Sequence, residues 1–403
     1  MTNTPVRALL LEQIHPDAES ILRSAGFEVR TMDRALDEDE LVEAVGDVTL
    51  LGIRSKTHVS RRVLEAAPHL LAVGAFCIGT NQIDLLAASE RGVTVFNAPF
   101  SNTRSVVELA IAEIISMTRR LTEKNALMHG GVWDKSADGA HEVRGRTIGI
   151  VGYGNIGTQL SVLAENLGMR VLFYDTADRL ALGNARRCIS LKDLLNESDV
   201  VTLHVDGRAS NQNLFGEAEF AQMRDGSLFL NLSRGFVVDY AALRAHIESG
   251  HIGGAAVDVF PVEPKGRGDE FVSELRGLPN VILTPHIGGS TEEAQQDIGR
   301  FVAGKFRDFV LDGSTAMSVN VPGLALPRPA GTLRLIHLHR NVPGVLARVN
   351  GLLAEGGVNV EAQLLGTRGE LGYVVTDSAS GTTQAIVDQI RALPETISLR
   401  VIF

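Results

Sequence analysis

Three side chains have the types and placement of a proton-transfer site for an anionic substrate: Arg234 in "NLSRGFVVD", Glu263 in "DVFPVEP" and His286 in "LTPHIGGS". An arginine fork matches a carboxylate bidentately and can steady a developing alkoxide. A histidine titrates near neutral pH and can give or take the proton of a hydroxyl. A carboxylate beside it fixes its tautomer and stabilises the imidazolium. Each has a plainer reading alone: Arg234 as a surface ion-pair partner, Glu263 as a solvated carboxylate between two prolines, His286 as a loop histidine satisfied by a backbone carbonyl. All three, however, follow the carboxyl ends of apolar strand-like runs in one series, the edge at which open α/β sheets bind ligands. Asp258 lies at one of the same strand ends.

A second motif supplies a reaction partner. "GYGNIG" (Gly152–Gly157) follows the apolar run "TIGIV" and opens a helix-like segment, and "RVLFYD" then ends in Asp175. Glycines there let backbone amides approach a pyrophosphate at a helix amino terminus, and an acid about 20 residues on binds the adenosine ribose. Asp175 would repel a 2′-phosphate, so NAD is favoured over NADP. The alternative is a tight turn with Asp175 as a strand-end cap. Together the two motifs fit hydride transfer between a nicotinamide and a 2-keto acid.

The elements that must position these groups form two alternating series. "VRALLL", "VTLLGI", "LLAVGAF" and "VTVFNAP" read as strands separated by helical segments up to about Phe100,. Ser105 and Glu108 suggest a capping box opening one long helix that runs towards His129. "RVLFYD", "DVVTLHV", "SLFLNLS", "GGAAVDVF" and "NVILTPH" are near-continuous apolar runs, which suit parallel strands buried on both faces. After a helix beyond Ser290, Pro322, Pro327 and Pro329 mark a linker. The remainder reads βαββαβ, the ferredoxin-like split pattern.

Composition narrows the partners. The chain has 403 residues, 44% hydrophobic and 21% charged, with a net charge of −10 and no long basic run. That disfavours nucleic acid and membrane surfaces. Two cysteines, Cys77 and Cys188, form no CxxC pair, so neither a disulfide framework nor a metal site is expected,. No apolar stretch reaches membrane-spanning length. A reducing cytoplasm fits these features.

Long runs carry a resemblance over essentially the whole chain: "GIRSKTHVS", "FCIGTNQIDL", "VFNAPFSNTRSV", "GVWDKS", "GIVGYGNIGTQL", "NLSRGFVVD", "AAVDVFPVEP" and "LTPHIGGSTEEAQ". The sequence resembles the D-isomer-specific 2-hydroxyacid dehydrogenase family, and its tail resembles an ACT regulatory domain. The resemblance implies two doubly wound parallel-sheet α/β domains plus the ferredoxin-like ACT domain. A discontinuous substrate domain would span 1–101 and 289–330, a Rossmann NAD domain 102–288, and the ACT domain 331–403. It implies Arg234, Glu263 and His286 as catalytic residues. Cofactor contacts would come from Gly152, Gly154, Asn155, Ile156, Gly157, Asp175, Leu232, Ser233, Arg234, Asp258, His286 and Gly289. Substrate phosphate and carboxylate contacts would come from Arg54, Ser55, Lys56, Gly79 and Asn102. Relatives often carry arginine where this chain has Lys56, which leaves a point charge in place of a fork.

The implied activity is NAD-dependent oxidation of 3-phospho-D-glycerate to 3-phosphohydroxypyruvate, the first step of L-serine biosynthesis, with reduction of 2-oxoglutarate as a possible accompaniment. L-serine binding at paired ACT domains through His339, Asn341 and Asn359 would inhibit it. For Asn341 the alternative is capping the helix near Pro343, and for Asn359 a turn. A homotetramer is implied. Trp133 reads either as a core aromatic at a helix end or as a residue reaching a neighbouring subunit. Alternatives for the whole chain are a glyoxylate or hydroxypyruvate reductase and a non-catalytic NADH-sensing binding protein.

Overall fold

The computed structural model describes residues 5–264, 268–329, 331–378 and 382–402. Its contacts separate two compact units, Met1–Ser101 with Gln295–Phe403, and Asn102–Ala294. The first unit opens with β1 (Arg7–Leu10), α1 (Pro16–Ser24), β2 (Glu28–Thr31), α2 (Glu38–Ala44), β3 (Leu50–Ile53), α3 (Arg61–Glu65), β4 (Ala72–Ala75), α4 (Leu85–Glu90) and β5 (Thr94–Asn97). The strands form a parallel sheet in the order β2-β1-β3-β4-β5. Every residue of β3 and β4 is buried, as strands covered on both faces require. β2, with one buried residue in four, has no apolar run to announce it.

The second unit contains α5 (Thr103–Thr118), α6 (Leu121–His129), β6 (Thr147–Val151), α7 (Asn155–Asn166), β7 (Arg170–Tyr174), β8 (Arg186–Arg187), α8 (Leu191–Glu197), β9 (Val200–Leu203), α9 (Glu217–Gln222), β10 (Ser227–Asn231), α10 (Tyr240–Glu248), β11 (Ile252–Val257) and β12 (Val281–Leu283). Its parallel sheet runs β12-β11-β10-β9-β6-β7-β8. The order reverses between β6 and β9, the switch point at which a crevice opens beyond the strand ends.

The long helix expected from Ser105 to His129 is two helices, and the capping box does not form. Asn102 stands at the N-cap of α5 without a side-chain cap bond. The Ser105 hydroxyl pairs instead with Thr291 Oγ1 at 2.8 Å. Glu108 pairs with Arg104. The chain breaks at Arg120, whose φ of 51° is left-handed. The carbonyls of the last turn find partners outside the helix: Thr118 O accepts from His141 N at 2.8 Å, and Met117 O from Asn280 Nδ2 at 3.5 Å. α6 has no buried residue, and Trp133 beyond it is 77% exposed. The core reading of Trp133 is therefore excluded.

α11 (Glu292–Asp312) leads back to the first sheet, where Ile298, Val302, Phe306 and Phe309 join its core. Gly74 in β4 makes room for it: a Cβ there would lie 2.6 Å from Val302 Cγ1 and 2.7 Å from Phe306 Cζ. The proline-bearing segment that follows is not a free tether. Val319 N donates to Val95 O, and the Asn320 amide holds Val95 N and Val93 O. Val321, Leu324 and Leu326 then cover one face of the last sheet. Their apolar side chains outweigh the linker signal of the prolines.

That sheet comprises β13 (Leu333–Arg340), β14 (Val360–Arg368), β15 (Leu371–Ser378) and β16 (Thr396–Ile402), antiparallel in the order β14-β15-β13-β16. α12 (Val345–Glu355) and α13 (Gln384–Arg391) cover its other face, giving the expected βαββαβ fold. Arg334 of β13 is fully buried and forks onto Asp377 with two 2.6 Å bonds. Its Nη1 also donates to Asp312 O at the end of α11 and to Leu326 O. Asp377→Ala should strand this guanidinium and cost about 3–5 kcal/mol. Urea unfolding of the full chain measures the loss.

Candidate active site

The glycine turn after β6 has the shape its sequence implies. Gly152 has a φ of 92°, and a Cβ there would sit 2.6 Å from His204 O at the end of β9. A Cβ at Gly157 would meet Gly152 O at 2.3 Å, whereas Gly154 faces open space. The first and third glycines are thus required for close packing, and the second leaves backbone accessible. Gly154 is the N-cap of α7, with Asn155 and Ile156 in its first turn, and no side chain caps it. Such an uncapped amino terminus suits a pyrophosphate. Asp175, just past β7, accepts from Tyr153 N at 2.9 Å and Ala177 N at 2.8 Å, and Arg179 Nε lies 3.4 Å away. The acid is fixed against the glycine turn, so these residues fit a dinucleotide.

The catalytic candidates come from neighbouring strand ends. After β10, buried Asn231 shapes the turn: its Oδ1 accepts from Ser233 N at 3.0 Å and from Ser233 Oγ at 2.7 Å. Its Nδ2 donates to Arg234 O at 3.1 Å. Leu232 is buried beside it. Gly235 is obligatory, because a Cβ would lie 2.0 Å from Phe260 C. Tyr240 ties the turn to the next strand end, with its hydroxyl 2.6 Å from Val259 O. Asn231 and Tyr240 were not apparent from sequence; the buried asparagine inside an apolar run was the available signal.

His286 and Glu263 meet. Nδ1 of His286 lies 2.9 Å from Glu263 Oε2, and Glu263 Oε1 accepts from Phe260 N at 3.1 Å. The Glu263 bond pushes the imidazole above its ordinary pKa, partly opposed by burial and by Arg234. Burial pushes Glu263 up, but His286, the Phe260 amide and Arg234 together hold it below the usual carboxylate range. The protonated imidazole is therefore stabilised, which suits a group that gives up and recovers a proton.

Asp258, read from sequence as a cofactor-side acid, is 2% exposed. It accepts from Thr284 Oγ1 at 2.6 Å, Ile287 N at 2.8 Å and Gly288 N at 2.8 Å. It thereby holds the turn carrying His286, whose φ of 53° is left-handed. Gly289 packs against Asn102, where a Cβ would lie 2.2 Å from Nδ2, and the buried Asn102 Oδ1 has no partner.

Glu113 on α5 was missed. It is 3% exposed, and neither carboxyl oxygen has a hydrogen-bond partner. Burial, with the charge of Asp258 added, pushes it up to about 8. Its spacing from Val106 and Met117 marks it as a core-facing position, and the polar residue type was the readable anomaly.

The remaining candidates lie in the other unit. Arg54 is partly buried, while Ser55 and Lys56 are exposed on the loop after β3. Gly79 O accepts from Cys77 Sγ at 3.2 Å and Gln82 Nε2 at 3.3 Å. In the last sheet His339 is buried with Nε2 unpartnered. Asn341 does not cap α12, whose N-cap is Gly344; its amide donates to Gly369 O at 3.1 Å. Asn359 precedes β14. Among the described residues no group of His, Cys, Asp or Glu is arranged to hold a metal, and no helix is long and apolar enough to cross a membrane.

The chain is similar to known proteins over its whole length. Residues 111–288 match the D-isomer specific 2-hydroxyacid dehydrogenase NAD binding domain, and 335–398 the AHAS small subunit-like ACT domain. D-3-phosphoglycerate dehydrogenase of Haemophilus influenzae is 49% identical over 404 residues, covering 100% of this chain and 98% of that protein. The Escherichia coli K12 protein of the same name is 49% identical over 401 residues, covering 99% and 98%. The structure of Aquifex aeolicus D-lactate dehydrogenase complexed with NAD and lactic acid superposes with a TM-score of 0.69 at 25% identity, covering 78% of this chain and 100% of that one.

Glu113 has a consequence for stability. Its acid is raised from 4.5 to about 8 in the fold, so its contribution is full below pH 4.5 and is lost as pH rises through about 8. Glu113→Gln should flatten that decline. Between pH 5 and pH 8, urea unfolding should show the wild type losing on the order of 2 kcal/mol more than the variant.

Proposed function

The chain belongs to the D-isomer-specific 2-hydroxyacid dehydrogenase family, and on that premise we propose that it oxidises 3-phospho-D-glycerate at C2 to 3-phosphohydroxypyruvate, the first step of L-serine biosynthesis. It is an NAD-dependent dehydrogenase with an ACT domain. The observation that carries the chemistry is the 2.9 Å pair of His286 and Glu263 at the edge of the sheet. The substrate rests on the activity for which the relatives 49% identical over essentially the whole chain are named.

NAD, when bound, supplies the hydride acceptor. Gly152, Gly154, Asn155, Ile156 and Gly157 would hold its pyrophosphate and Asp175 its adenosine ribose. Leu232, Ser233, Asp258 and Gly289 would border the nicotinamide end. Because Glu263 occupies Nδ1 of His286, Nε2 is the atom left to take the C2 hydroxyl proton during oxidation and to return it during reduction. Arg234 would hold the substrate carboxylate and steady the alkoxide. Arg54, Ser55 and Lys56 would take the phosphate, with Asn102 and the backbone at Gly79 serving the carboxylate. The domains are assigned as 1–101 with 289–330 for substrate, 102–288 for NAD and 331–403 for regulation.

The ACT domain supports feedback inhibition by L-serine, bound between two copies through His339, Asn341 and Asn359. The exposed apolar residues Leu121, Met128, Val132 and Trp133 support a homo-oligomer, assigned as a tetramer. A chain with only two cysteines and no CxxC pair accords with the cytoplasm,. Reduction of 2-oxoglutarate is a second activity of the same site.

An NADH-oxidation assay tests this reading. Phosphohydroxypyruvate should be reduced with a far higher kcat/KM than hydroxypyruvate, 2-oxoglutarate should be accepted, and millimolar L-serine should inhibit. Equal use of the two hydroxypyruvates would remove the substrate assignment, and insensitivity to serine would remove the regulatory one. The pH dependence is separately decisive. Reduction needs protonated His286, so it should persist up to the raised pKa of that group and fall above it. Glu263→Gln removes the cause of the elevation. The falling limb should move to lower pH, and kcat at neutral pH should drop about 10–100-fold.

A further inference from the structure

The loop after β3 is built around an internal anion. Glu12, just beyond β1, is 7% exposed, and its carboxylate accepts three backbone N–H groups of that loop. Arg54 N and Thr57 N reach Oε1 at 3.1 and 2.9 Å, and Lys56 N reaches Oε2 at 3.0 Å. The Glu12 carbonyl also accepts from Arg54 Nη1 at 3.3 Å. Glu12 and Gln13 are both left-handed, with φ of 62° and 54°. Two successive non-glycine residues in that region persist only where the surroundings hold them there. A second buried side chain completes the bracket: Gln82 Nε2 donates to Arg54 O at 2.8 Å and to Gly79 O at 3.3 Å.

Converging backbone N–H groups are ordinarily a site for an external anion. Here the protein's own carboxylate fills it. An incoming phosphate is therefore left to the side chains of Arg54, partly buried, and Lys56, exposed, whose backbone is pinned from inside. We propose that Glu12 is a positioning residue for substrate selection: it fixes the Arg54–Lys56 loop from inside, so that preference for a phosphorylated over an unphosphorylated 2-keto acid depends on a residue that never touches either. Gln82 joins this loop to that of Gly79, so both candidate anion contacts share one buried support. The inference rests on the assignment of Arg54 and Lys56 to the substrate phosphate.

The test is the steady-state kinetics of full-length wild type and Glu12→Gln with 3-phosphohydroxypyruvate and with hydroxypyruvate. NADH affinity by fluorescence and Tm are followed in parallel. Glutamine keeps the volume but turns an amide towards N–H donors. KM for the phosphorylated acid should rise about tenfold, with kcat, KM for hydroxypyruvate and NADH affinity within about twofold. In a cycle with Lys56→Met, the two effects on KM should be non-additive. An unchanged KM ratio, additive effects, or equal loss for both substrates with a collapsed Tm overturns the role. If Glu12→Gln does not fold, Gln82→Leu decides, with a selective rise in the same KM expected and no rise overturning it. A wild type without preference for the phosphorylated acid removes the substrate assignment and this inference together. Preference undiminished in Glu12→Gln removes this inference alone.

Discussion

The carboxylate of Asp258 is the constraint on which the candidate active site depends. A histidine at positive φ is an unfavoured backbone state, and the local bond from His286 N to Thr284 O at 3.0 Å needs an anchor from outside "LTPHIGGS" beside it. Asp258 provides that anchor by accepting from Thr284 Oγ1 before His286 and from two amides after it. With the turn gripped on both sides, the imidazole is delivered to Glu263. A Cβ at Gly288 would lie 2.9 Å from Asp258 Oδ2, so the second amide reaches the carboxylate because the residue is glycine.

This arrangement gathers carboxylates in one region, and each is handled differently. Asp258 is surrounded by donors. Glu263 is half exposed, and its cation partner is the histidine it serves. Glu113 has neither donor nor cation, and burial next to Asp258 raises it to about 8. It is neutral at pH 7, so the region carries one negative charge fewer than the sequence counts. That lowers the cost of burying Asp258 and leaves Arg234 and His286 closer to balance with the carboxylates around them.

Both units use buried polar side chains for the same purpose. Glu12 shapes a loop from beneath, Asn231 shapes the turn of Arg234, and Arg334 joins the end of α11 to the last sheet. In each case a side chain satisfies backbone groups that no strand or helix pairs. A loop built this way holds its outward residues still, as a site on loops requires.

The sequence by itself determined what depends on neighbours along the chain. Continuous apolar runs alternating with helical segments suit parallel strands covered on both faces, so both doubly wound sheets were legible, and the change of rhythm beyond the prolines made the antiparallel βαββαβ tail legible. The glycine turn with Asp175, and the strand-end positions of Arg234, Glu263 and His286, were legible for the same reason. Tertiary structure decided what depends on partners far away in sequence. α5 ends where Asn280 and His141 claim its carbonyls, and the proline segment packs because a sheet face lies open to it. Asp258 became a clamp rather than only a cofactor neighbour, and Glu12 and Glu113 emerged at all, because hydrogen bonding and desolvation are set by what surrounds a group in space. A pattern of residue types records which groups want partners; only the fold supplies them or withholds them.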